Sequence, residues 1–147
     1  MLLDKSILIH APPSRVFAWL APTRASRWDP GVVRGEARDG TLATGSTFDR
    51  VDRAQGHRFA MRAEATDVEP GRRFGWRQIE GDYAVHQGAF ELEPVEGGTR
   101  LHLLADVEYP YRMPRLVTED ALRRELSDSA DEALLRLKEM LESPGAS

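Results

Sequence analysis

The sequence predicts an α+β fold in which a curved antiparallel sheet grips a long C-terminal helix. Three observations predict it. An apolar strand, Ile7-Leu8-Ile9-His10, runs into Ala11-Pro12-Pro13 and at once into a short helix. A series of strand-like segments joined by tight turns fills the middle of the chain. The stretch from about Thr118 to Glu142 is then amphipathic at helical spacing. This order describes a protein that encloses something.

Strand one spans roughly Leu2 to His10. Prolines suit the first helical turn that follows, because their missing N–H has no intrahelical partner there. Val16, Phe17 and Leu20 recur at helical spacing, and the helix ends near Ala21-Pro22. A second short helix covers Arg24 to Trp28, and Asp29-Pro30-Gly31 breaks it. Val32 to Ala37 reads as a strand, followed by a glycine-punctuated loop, Asp39 to Gly45. Ser46 to Arg53 turns at Ala54-Gln55-Gly56 into His57 to Val68. There Phe59, Met61, Ala63 and Ala65 alternate with Arg58, Arg62 and Glu64, the period of a half-buried antiparallel strand. Glu69-Pro70-Gly71 leads to Arg72–Ile79, and Glu80-Gly81-Asp82 leads to Tyr83–Pro94. Glu96-Gly97-Gly98 is a hairpin signal. The last strand, Thr99 to Tyr109, turns Leu101, Leu103, Ala105 and Val107 inward and Arg100, His102, Asp106 and Glu108 outward. In the final helix Leu122, Leu126, Ala130, Ala133, Leu134, Leu137 and Leu141 form one broad stripe. A coiled coil would need a narrower seam, so the stripe is expected to dock on the sheet.

At 147 residues the chain is long enough for one domain with a sizeable core, expected over residues 1–142, with a disordered tail over 143–147. No apolar run nears the ~20 residues that span a membrane. Asp4 and Lys5 interrupt the first apolar residues, unlike a signal peptide. With no cysteine, disulfides and thiolate metal sites are excluded, which fits a cytoplasmic location. The net charge of −4 argues against a nucleic-acid partner, which usually needs a basic field. The sequence is silent on oligomeric state.

Taken together, Ile7–Leu20, Trp28-Asp29-Pro30-Gly31-Val32, Val68-Glu69-Pro70-Gly71-Arg72-Arg73 and Phe90-Glu91-Leu92-Glu93-Pro94 form a recognisable order. Gly97-Gly98-Thr99-Arg100-Leu101 and the closing Leu134-x-x-Leu137-Lys138-x-x-Leu141-Glu142 complete it. The chain resembles the START/Bet-v-allergen-like (SRPBCC, helix-grip) superfamily, and within it the bacterial polyketide cyclase/dehydrase-like branch. The resemblance implies a seven-stranded antiparallel sheet, two short helices and a long C-terminal helix around a hydrophobic cavity. It also implies ligands such as lipids, polyketides, sterols or quinones, and in some members cyclisation or dehydration. Fold alone does not fix which.

Such a cavity needs an apolar lining and a few polar groups. Alternation places Phe59, Met61, Trp76, Phe90 and Tyr109 toward it, and the helix stripe adds Leu122 and Leu126. Gln78 shares the face of Trp76 and could orient a ligand. His86 shares the parity of Phe90 and Leu92; it reads either as a ligand-contacting acid/base or as a satisfied core histidine. Glu119 falls on the apolar stripe, where an unpaired carboxyl would have a raised pKa suited to proton transfer. It also reads as a first-turn acid behind the cap Thr118, or as a partner of Arg123. Tyr83 and Tyr111 are expected near the rim. Lys5 either points inward at a strand end or reaches solvent. His10, His57, His86 and His102 lack metal-ligand spacing, and no cofactor motif is present.

Three functions are therefore compatible: binding of a hydrophobic small molecule, a cofactor-independent polyketide cyclase or dehydratase using His86 or Glu119, and a chaperone- or membrane-associated interaction protein. Outward Leu135 and Val117 would serve the last. Arg38–Gly45 is the candidate lid, and Gly88→Trp the candidate cavity-filling change.

Overall fold

In the computed structural model, which describes residues 2–38, 42–81, 85–108 and 117–144, the chain opens with strand β1 (Leu2–Ile9) and helix α1 (Pro13–Trp19). A 3-10 helix (Pro22–Arg27) leads into β2 (Val32–Ala37). The meander continues through β3 (Thr47–Ala54), β4 (His57–Glu69), β5 (Arg73–Gly81), β6 (Val85–Val95) and β7 (Gly98–Val107). Helix α2 (Glu119–Glu142) follows. The strands form one sheet in the order β1-β7-β6-β5-β4-β3-β2, with every neighbouring pair antiparallel. The first two strands thus lie at opposite edges. This is the helix-grip architecture.

The period-two pattern sets the faces. Phe59, Met61, Ala63 and Ala65 of β4 are buried, as are Leu101, Ala105 and Val107 of β7, while Arg58 and Ala60 on either side of Phe59 are exposed. The stripe of α2 turns inward with Leu122, Leu126, Ala133, Leu134, Leu137 and Leu141 buried. Its start is set by Thr118, whose hydroxyl accepts a hydrogen bond from the Ala121 N–H at 3.0 Å.

Polar contacts tie α2 to both sides of the sheet. On β1, Lys5 Nζ donates to Ser127 Oγ at 2.8 Å and to Asp131 Oδ2 at 3.1 Å, so this lysine bridges to the helix instead of pointing into a cavity or out to water. Further along, Lys138 Nζ donates to the Leu8 carbonyl at 2.7 Å, and the Glu142 carboxylate accepts the His10 N–H at 2.9 Å. Across the molecule, Gln55 in the β3–β4 turn donates its backbone N–H and its side-chain amide to Glu125, each at 2.8 Å. The helix is held like a bar across a trough.

The trough is not filled evenly. Ile9, Val16, Leu101, Leu137 and Leu141 are almost fully buried and make a solid core beneath the last turns of α2. Beneath the stretch from Glu125 to Leu134 the packing opens. Among the described residues no helix is long and apolar enough to cross a membrane.

Candidate functional site

A cavity of about 550 Å³ lies between the sheet and α2. Five aromatic side chains line one part of it: Trp28 beyond the 3-10 helix, Phe48 of β3, Phe74 and Trp76 of β5, and Phe90 of β6. Their rings form a continuous cluster, with Trp76 and Phe90 centroids 5.4 Å apart, Phe74 and Trp76 5.8 Å, Phe48 and Phe74 5.9 Å, and Trp28 and Phe90 6.2 Å. Trp28 donates its indole N–H to the Trp19 carbonyl at 2.8 Å. The indole N–H of Trp76 is buried with no hydrogen-bond partner among the described residues. A contiguous aromatic wall can bind a flat apolar molecule.

A second wall is charged. Phe48, Arg50, Asp52 and Ala54 share one parity on β3, so two ionic side chains enter the same side as Phe48. Arg50 Nε donates to Asp52 Oδ1 at 2.7 Å, and its guanidinium stands 3.7 Å from Asp29 Oδ2. Asp29 holds the turn after the 3-10 helix, its Oδ1 accepting the Gly31 N–H at 2.9 Å. Burial pushes the Asp29 carboxyl up to about 6, reinforced by the negative charges of Asp52 and Glu132, although Arg50 and the Gly31 N–H pull the other way. Asp52 is 1% exposed, and its second oxygen has no partner among the described residues. Glu125, Asp128 and Glu132 of α2 complete this wall.

The sequence-predicted residues divide into three groups. Trp76, Phe90 and Leu126 border the cavity. Phe59, Met61 and Leu122 are buried in the surrounding core and do not border it. Gln78 turns its amide onto the Gly81 carbonyl, its own oxygen buried and unpaired, and lies outside the lining. Tyr109, Tyr83 and Tyr111 fall outside the described residues.

His86 and Glu119 are displaced from their expected places. A register shift in the β6–β7 pairing between Val85 and Gln87 takes His86 out of the parity of Phe90. Its Nε2 lies 3.4 Å from Asp106 Oδ2 and 4.0 Å from Glu108, on the outward side where Gln87 also reaches Asp106. Glu119 is the first residue of α2 and is exposed; Arg123 meets Asp120, not Glu119, at 3.8 Å. Leu122 is buried while Glu119, one turn earlier, is not. None of the described residues of the loop 38–45 lines the cavity; Gly45 and Thr44 are hydrogen-bonded to β4 instead.

Asp29, Arg50 and Asp52 were not anticipated. Asp29-Pro30-Gly31 reads as a break, and its carboxylate does cap that turn while also facing the cavity. The alternation of Phe48, Arg50, Asp52 and Ala54 was the available signal for the other two.

The family described as "Polyketide cyclase / dehydrase and lipid transport" matches residues 2–142. No curated protein shows significant similarity to the sequence. Among solved structures, TTHA0849 from Thermus thermophilus superposes with a TM-score of 0.78 at 18% identity, covering 95% of both chains. Zhui aromatase/cyclase from Streptomyces sp. R1128 gives 0.76 at 15% identity over 97% of this chain and 93% of that one. Ginseng major latex-like protein 151 from Panax ginseng gives 0.70 at 12% identity over 97% and 98%. At such identities the likeness is one of fold.

Proposed function

Because the chain belongs to the polyketide cyclase / dehydrase and lipid transport family, we propose that it binds one hydrophobic, flat small molecule in the cavity between α2 and the sheet. The observation that carries this reading is the 550 Å³ space walled by five contiguous aromatic rings. That volume falls within the roughly 300–1,000 Å³ of small-molecule sites. Aromatic walls supply apolar area and ring–ring contacts. Phe90 and Leu126 then contact the ligand from the sheet and the helix. The alternative of a cyclase or dehydratase gains nothing from His86 or Glu119, since both stand away from the cavity.

The test uses 2-naphthylmethanol, a neutral fused-ring probe, in a calorimetric titration of the purified protein. Saturable binding at one probe per chain is expected. No saturation, or many weak sites, would sink the cavity as a ligand site.

A further inference from the structure

The cavity pairs its aromatic wall with an unbalanced charged one. Among the described residues five carboxylates line it (Asp29, Asp52, Glu125, Asp128 and Glu132), against two guanidiniums, Arg50 and Arg53. Most of these groups are engaged. Arg50 lies between Asp52 and Asp29, Glu125 accepts twice from Gln55, and Glu132 pairs with Arg136 at 2.8 Å. Asp128 and Arg53 are exposed, so the buried atom left over is Asp52 Oδ2, a carboxylate oxygen with no hydrogen-bond partner among the described residues, on a side chain that is 1% exposed and shares the face of Phe48 on β3. Buried polar atoms are nearly always paired, so this orphan, itself covered but on a side chain that borders the cavity, marks an acceptor short of one donor. The surplus of negative charge, in a cleft with low-dielectric walls, selects a cationic donor over a neutral one. Aromatic faces nearby add a second attraction for a cation. A metal ion does not fit, since no three His, Asp or Glu side chains among the described residues are placed to ligate one.

We propose that the ligand is an aromatic or fused-ring molecule carrying a protonated amine, its rings against the Trp76–Phe90 cluster and its ammonium donating to Asp52. This rests on the cavity being a ligand site and names the class of compound that it takes. An anion of the same shape would meet the carboxylates, and a neutral alcohol would leave the surplus charge unanswered.

The experiment compares three probes of one shape by calorimetry at pH 7.5 and low salt: 2-naphthylmethylamine, 2-naphthylmethanol and 2-naphthoate. The amine is expected to bind at least tenfold more tightly than the alcohol, and the naphthoate most weakly. Asp52→Asn should erase the amine's advantage over the alcohol. If that variant does not fold, Asp29→Asn removes one of the flanking charges and should reduce the advantage by at least threefold. Equal binding of amine and alcohol, or tightest binding of naphthoate to Arg50, overturns the proposal while leaving the cavity as a ligand site. Failure of all three probes to bind overturns both.

Discussion

Asp29 is a residue held against its own ionisation. Burial raises its carboxyl from 3.8 to about 6, so the folded protein binds a proton there more tightly than the unfolded chain does. The sign follows from linkage: stability attributable to this group falls as pH rises from about 4 through about 6, and the penalty is complete above that. Moving a carboxyl that far corresponds to roughly 3 kcal/mol at most. Asp29→Asn should therefore stabilise the protein at pH 8 by up to that amount, by about half as much at pH 5, and not at all below about pH 4. Denaturant titrations at several pH values check it; a gain that does not vary with pH would show that Asp29 ionises freely. The same residue shows what a sequence hides. Asp29-Pro30-Gly31 is legible as a turn because proline and glycine set the backbone, but the partner of the carboxylate's second oxygen is Arg50, twenty-one residues later. His86 is the converse case. Strict alternation sends it inward, and one register shift, invisible to periodicity, turns it toward Asp106.

The elements were more legible than the site because each is specified locally. Alternation over His57–Val68, the Gly97-Gly98 turn and the Pro12-Pro13 helix start are properties of adjacent residues, and the structure places β4, the β6–β7 hairpin and α1 accordingly. The long helix carries a further distinction that its pattern does not show. Its inward leucines look alike in sequence, yet Leu137 is fully buried in the solid core while Leu134 borders the cavity. Truncation creates a void in the first case and widens an existing one in the second. Leu137→Ala should cost about 3–5 kcal/mol, near the upper range for core leucines, and Leu134→Ala about 2 kcal/mol. Urea unfolding of the two variants measures the difference; equal costs would mean that the cavity end packs as tightly as the other.

At the scale of the whole molecule, the sheet closes around α2 but leaves a space that its own side chains do not fill. Gly88 looks like the place to fill it, since it stands opposite Trp76 in the sheet. The geometry forbids this: a Cβ there would lie 2.6 Å from the Leu104 carbonyl oxygen and 2.7 Å from Trp76 Cζ2. Gly88→Trp would disrupt the sheet, not occupy the cavity. Ala130 is better placed, half-buried on α2 and bordering the cavity directly. An indole at that position can enter the open volume, which avoids most of the ~1–3 kcal/mol that overpacking a filled core costs. Ala130→Trp should keep a single cooperative unfolding transition within about 1 kcal/mol of the parent and weaken 2-naphthylmethanol binding at least tenfold. Calorimetry with the folded variant reads the outcome. Undiminished binding would place the probe elsewhere on the protein, because a ligand seated between the Trp76–Phe90 cluster and α2 has to compete with that indole for the same space.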